Sequence, residues 1–242
     1  MEFLLNLNWW AVGQIILIDI LLGGDNAIVI ALACRNLPPQ LRLRGIVWGT
    51  LGAVGIRIIL LAFAVTALQL AYVKLAGGLL LFWIAYKLLL EEGNAHDSIP
   101  AGDRLLSAIK TIIAADLVMS LDNVIAVASA AEQASGDAGN SQFALIIFGI
   151  AVSIPIVVWG STLVLKLMQN FPVIVTLGAA LLGYLGAAMA CADPAISAFI
   201  DTLAAYLFIT IPLLGVKLSV PGLLGAFAVV VCAFAIQSRK AV

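Results

Sequence analysis

The chain has 242 residues, of which 64% are hydrophobic and 10% charged, with a mean hydropathy of +1.17. Soluble domains carry about 25% charged residues, so this composition excludes one and points to lipid. The net charge of −1 offers no basic surface and excludes nucleic acid as a partner.

The N-terminus, Met1-Glu-Phe-Leu-Leu-Asn-Leu-Asn8, lacks a positively charged n-region, so no cleaved signal peptide is expected. About 20 apolar residues are needed to cross the hydrocarbon. Runs of that kind fall near 9–34, 43–66, 70–90, 106–131, 142–166, 173–191 and 219–237. Gly45, Gly49, Gly52 and Gly55 give the second run a small-residue face for close packing. Between the third and fourth runs, the polar loop 91–105 holds the only histidine, His96, expected to be solvated. Pro155 in the fifth run and Pro212 beyond the sixth predict kinks or breaks. Segment 192–218 reads as an outer loop or interfacial segment, with Asp193 and Asp201 solvated. Trp9, Trp10 and Trp159 read as interface or packing aromatics. Cys34, Cys191 and Cys232 are isolated, without CxxC spacing, and read as free packing residues.

Basic residues orient the spans. Arg35, Arg42 and Arg44 lie between the first two runs, Lys87 marks the end of the third, Arg104 and Lys110 bracket the start of the fourth, Lys166 ends the fifth, and Arg239 and Lys240 follow the last. The connections near 67–72, 132–141 and 192–201 carry no Lys or Arg. Seven spans with the N-terminus outside and the C-terminus cytoplasmic satisfy the positive-inside rule. An eighth span through 195–215 would send Arg239 and Lys240 outside. The expected fold is all-α: seven transmembrane helices in one domain over 1–242.

An internal repeat underlies this count. Asp19-Ile-Leu-Leu-Gly-Gly-Asp25-Asn26 recurs as Asp116-Leu-Val-Met-Ser-Leu-Asp122-Asn123. Ala53-Val-Gly-Ile-Arg-Ile58 matches Ala151-Val-Ser-Ile-Pro-Ile156, and 75–85 matches 177–187. The chain thus reads as a three-helix repeat over 9–90, a second over 106–191 and a seventh helix. Three spans per copy invert the second copy relative to the first, as in transporters whose sites lie near midplane.

Four buried aspartates need compensation, because each costs at least about 2.5–3.5 kcal/mol at bilayer depth. Arg57 is the one basic residue clearly inside a span and cannot neutralise all four; it reads equally as a partner of a site carboxylate or of an ordinary interhelical pair. A divalent cation or protons must supply the remainder. On an unbroken helix Asp19 and Asn26 share a face but lie about 10 Å apart along the axis, while Asp25 points about 120° away. A break at Gly23-Gly24 would allow convergence, and the second copy, with Ser120-Leu121, predicts a milder one with a hydroxyl to contribute. The ligand set is carboxylate and amide oxygen: Asp19, Asp25, Asn26, Asp116, Asp122 and Asn123. Such hard ligands suit Mn²⁺, Mg²⁺ or Ca²⁺.

At these octets, in Leu22-Gly-Gly-Asp-Asn-Ala-Ile-Val-Ile-Ala-Leu32 and Ala115-Asp-Leu-Val-Met-Ser-Leu-Asp-Asn-Val-Ile-Ala-Val127, the sequence resembles the TerC family of bacterial membrane proteins, in particular its YjbE-type subgroup. The resemblance implies a metal-ion transporter of the bacterial inner membrane, related to the LysE-like exporters, with Mn²⁺ efflux as its activity. It places the family's motif acids on Asp19, Asp25, Asp116 and Asp122 and its amides on Asn26 and Asn123.

The expected function is therefore Mn²⁺ export by alternating access, with protons as a possible counter-ion and no enzymatic step. Two alternatives stand beside it. A LysE-like amino-acid exporter would need a cationic site for the α-carboxylate. An intramembrane aspartyl protease would need two carboxylates, not four in duplicate with two amides. The sequence defines no oligomeric state, a homodimer included.

Overall fold

A computed structural model describes residues 24–69, 72–90, 100–135, 140–196, 208–211 and 216–240, with 61–69, 90, 121–135, 140–149, 208–211, 216–218, 233–234 and 236–240 described by backbone alone. The helices are α1 (Gly24–Cys34), α2 (Pro39–Gln69), α3 (Val73–Leu90), α4 (Ala101–Ser135), α5 (Asn140–Asn170), α6 (Val173–Cys191) and α7 (Val220–Lys240). Between α6 and α7 lie β1 (Phe208–Ile211) and β2 (Val216–Ser219).

Local chemistry sets the boundaries. Pro39 opens α2 at the position where its missing N–H is not needed. Arg42 Nε and Nη2 donate to the carbonyls of Leu37 and Arg35 at 2.9 and 3.2 Å, covering acceptors that the end of α1 leaves open. Pro100 precedes α4, and Asp103 sits in that helix's first turn, where the dipole favours an acid. Pro172 caps α6.

Helices α2–α7 cover the apolar runs predicted for them. Among the described residues, three stretches are long and apolar enough to cross a membrane, Pro39–Leu60, Ile150–Asn170 and Val173–Cys191, with shorter apolar helices at Gly24–Cys34 and Val220–Cys232. Helix α5 continues through Pro155, so of the expected kink or break the break does not occur. That ring removes one helical hydrogen bond, to the carbonyl of Ala151, and neighbouring turns carry the helix past it. Pro212, His96 and Asp201 lie outside the described residues.

The described residues are helical, as expected, apart from one short ribbon. β1 and β2 pair antiparallel, in register from Phe208↔Ser219 to Ile211↔Val216. Ile209, Thr210, Ile211 and Val216 are β-branched and favour extended backbone. Four-residue strands are far shorter than the 9–11 residues a membrane strand requires.

The chain forms two compact units, Met1–Val65 with Ala101–Lys166, and Thr66–Pro100 with Leu167–Val242. The first holds α1, α4 and most of α2 and α5. Its glycine face works as expected at three positions: Gly45 abuts Cys34 and Leu37, Gly49 abuts Ile112, and Gly52 abuts Ile113. Gly55 faces open space. Polar side chains are buried here, Asn26, Thr50, Arg57, Thr111, Asp116, Ser120, Ser153 and Ser161 among them, while Trp48, Ile59 and Trp159 are exposed. That inversion of the soluble pattern is what a lipid solvent selects.

The second unit packs α6 against both α3 and α7. Gly78 and Gly186 bring the α3 and α6 backbones together, and Gly183 and Gly225 do the same for α6 and α7. The Tyr184 hydroxyl accepts the Ser219 amide at 3.1 Å and ties the ribbon to α6. Lys87 sits over the Trp83 ring, 5.5 Å from its centre, near the end of α3.

Asp193 departs from expectation. Instead of being solvated it is 0% exposed. Its carboxylate accepts the amides of Tyr72 and Leu75, each at 3.0 Å, and of Ala195 at 2.8 Å. The first-turn amides of α3 need acceptors, and Asp193 supplies them from the far end of α6. It thereby also holds Tyr72 at φ +70°, a backbone region unfavourable for a bulky residue. Desolvation pushes this carboxyl's pKa up, but the amides of Tyr72, Ala195, Leu75 and Lys74 outweigh it and hold the group below the usual carboxylate range. A depressed folded-state pKa gives stability that is complete above the unfolded value of about 4 and is lost as pH falls through the folded one. Asp193→Asn is expected to lower the thermal midpoint at pH 7 and to flatten its decline below pH about 4. A midpoint and pH profile equal to wild type would refute the capping role.

Candidate functional site

Helix α1 carries Asp25 and Asn26 in its first turn. The Asn26 amide donates to Asp25 Oδ1 at 2.9 Å. A first-turn amide lacks a carbonyl partner four residues back. Gly23, where the sequence places a break, lies outside the described residues. Asp25 is half-buried, and Asn26 is buried at 5% exposure. Asp19 lies outside the described residues.

Helix α4 runs without interruption through the second octet, so the milder break expected there is absent. The reason is local: Leu121 is a strong helix former, and Ser120 turns its hydroxyl onto Asp116 one turn back, at 2.9 Å. Positions 116 and 122 on this continuous helix lie about 120° apart around the axis. Asp122 and Asn123 are placed by backbone only, and their side chains lie outside the described residues.

Arg57 on α2 decides the electrostatics. Its Nη2 donates to Asp116 Oδ1 at 2.7 Å, and its Nε donates to Ser120 Oγ at 3.0 Å. Both members of the ion pair are buried, 8% and 6% exposed in their side chains. Among the described residues of the two octets, Asp116 is the one Arg57 pairs with, in a contact between α2 and α4.

A cavity of about 20 Å³ opens beside this pair, lined by Asn26, Thr50, Arg57, Asp116 and Ser153, with Ile30 and Val157 among its apolar walls. That is room for about one water molecule. Two lining oxygens, Asn26 Oδ1 and Thr50 Oγ1, are buried without a hydrogen-bond partner. Buried polar atoms are almost always paired, so this pair marks a place shaped for a polar guest. Ser153 Oγ is engaged by the Ile150 carbonyl at 2.8 Å. Thr50 and Ser153 escaped the sequence reading, because a single hydroxyl in an apolar helix commonly bonds its own backbone.

The structure thus brings together Asn26 and Asp116, one from each octet, at this cavity; Asp25 is not among its lining residues. Among the described residues no cluster of three or more His, Cys, Asp or Glu side chains forms.

The description "Integral membrane protein TerC family" matches residues 5–240 of this chain. The chain belongs to the TerC family. The Bacillus subtilis (strain 168) membrane protein YjbE is 41% identical over 182 residues, which are 75% of this chain and 79% of YjbE. The Escherichia coli (strain K12) inner membrane protein YgdQ is 32% identical over 134 residues, 48% of this chain and 56% of YgdQ. A shorter match, 29% over 80 residues, joins 33% of this chain to 31% of the Bacillus subtilis membrane protein YceF. No solved structure matches the chain. This TerC protein is accordingly an integral membrane protein, built from apolar helices around a buried polar site.

Proposed function

We propose that this TerC protein exports a divalent metal ion, Mn²⁺ being the best chemical fit, as a transporter and not an enzyme. The observation that carries the reading is the buried cavity where Asn26 Oδ1 and Thr50 Oγ1 stand unpartnered beside the carboxylate of Asp116. These are hard oxygen donors, without thiolate or imidazole, which suits Mn²⁺, Mg²⁺ or Ca²⁺ over zinc or copper. Asp19, Asp25, Asp122 and Asn123 complete the proposed ligand set.

The finer architecture belongs to the same proposal. Seven membrane helices in two inverted three-helix repeats, with the N-terminus outside and the C-terminus cytoplasmic, would place the two octets on oppositely running helices of a LysE-like exporter in the bacterial inner membrane. Each compact unit draws helices from both repeats, which supports a duplicated, interlocked origin. Protons on the same carboxylates are the proposed counter-ion.

Amino-acid export is less well supported, because Arg57, the cation an α-carboxylate would need, is already engaged by Asp116. Mn²⁺ accumulation in cells tests the proposal. Asp25→Ala and Asp122→Ala should each restore Mn²⁺ sensitivity to a host that the wild-type protein protects. Full protection by both variants would rule out this site.

A further inference from the structure

We infer that Arg57 is a tethered counter-cation: it occupies the Asp116 limb of the site while no metal ion is bound, and an entering divalent ion displaces it. The inference rests on the metal-transport reading and adds a residue outside both octets. Both Asp116 oxygens are engaged, Oδ1 by Arg57 Nη2 at 2.7 Å and Oδ2 by Ser120 Oγ at 2.9 Å. Arg57 Nε closes the ring on Ser120 at 3.0 Å. Across the same small cavity, Asn26 Oδ1 and Thr50 Oγ1 have no partner. One side of the site is therefore filled by an internal cation and the other side is left with open acceptors.

A metal ion seated on Asn26 and Thr50 would meet the guanidinium at close quarters, and two cations in a low-dielectric cavity repel. The carboxylate can satisfy only one of them fully, so ion binding and the Arg57–Asp116 pair exclude each other. This gives the site a charge filter. A monovalent ion brings no more charge than the guanidinium it would displace, whereas a divalent ion does. The tether also spares the protein an uncompensated buried carboxylate when the site is empty. Only one repeat supplies it, since Pro155 stands in the second copy where Arg57 stands in the first.

The test is Mn²⁺ titration of the purified full-length protein in detergent, read by calorimetry and thermal stability, with Na⁺ as the monovalent comparison. Arg57→Gln keeps amide donors for Asp116 and Ser120 but removes the charge. It should bind Mn²⁺ about tenfold tighter than wild type, a coupling of ordinary size, and should gain stabilisation by Na⁺. Arg57→Lys, which keeps the charge, should stay near wild-type affinity. Ser120→Ala loosens the tether without touching the charge and should tighten Mn²⁺ binding in the same direction, so the question is answered even where Arg57→Gln fails to fold. Mn²⁺ affinity unchanged or weakened in the folded variants would make Arg57 purely structural and overturn the inference while leaving the transport reading intact. A wild-type protein that responds to no divalent ion would overturn both.

Discussion

Gly78→Leu and Gly183→Leu should each destabilise the α3–α6–α7 packing by about 3 kcal/mol, at the upper end of what overpacking ordinarily costs. A side chain at 78 would meet the Gly186 carbonyl oxygen, and one at 183 would meet the Gly225 carbonyl oxygen and Val229. A flexible neighbour could swing aside, but two helix backbones can relieve such a clash only by separating. In lipid that separation is serious, because helix association there rests on close van der Waals contact and lacks the hydrophobic drive available in water. Gly55→Ala is the control. Nothing lies within 4 Å of that position, so the substitution should be neutral or add up to about 1 kcal/mol through helix propensity. Unfolding in detergent, followed by circular dichroism against increasing SDS, compares the three variants. A Gly183→Leu protein as stable as wild type would mean that α6 and α7 do not cross this closely.

How much of this was legible in the sequence depends on the kind of interaction. Apolar runs mark helices because the membrane imposes both length and composition, and the run predicted at 173–191 is α6 to the residue. Proline positions gave the helix starts for a related reason, since the ring constrains only its own turn. Pro155 left kink and break open, because a break depends on whether neighbouring turns can hold the helix together, and α5 holds. The ribbon at 208–219 was hidden by its apolar composition, which β-branched residues share with membrane helices. Asp193 was the clearest miss. A loop aspartate reads as solvated until the amides of Tyr72 and Leu75, more than a hundred residues away in sequence, are brought to it. Among the residues that line the cavity, Asn26 and Asp116 were visible from the repeat. Thr50 was not, because its interest lies in a hydrogen bond it does not make, and no sequence pattern records an absent bond. Arg57 was visible as an anomaly, but its partner was a matter of geometry alone.

That partner governs the other large effect. In the absence of metal, Arg57→Met should destabilise the protein by about 3–5 kcal/mol, the usual consequence of stranding one member of a buried ion pair. The pair spans α2 and α4 and buries both groups, so water cannot readily replace the missing guanidinium. Asp116→Leu should be similarly harmful, since it leaves the arginine without its carboxylate and Ser120 without its acceptor. The double variant Arg57→Met/Asp116→Leu should recover most of the loss, because apolar residues of similar volume often replace a buried pair at little cost. Such a cycle separates stability from specificity: a pair that can be exchanged for apolar residues without loss of folding is retained for its charge. If the single variants cost under about 1 kcal/mol, the range of exposed pairs, the pair is solvated and Asp116 is open to ions without competition. If the double variant folds well yet no longer binds Mn²⁺, the carboxylate belongs to transport and the arginine to its control.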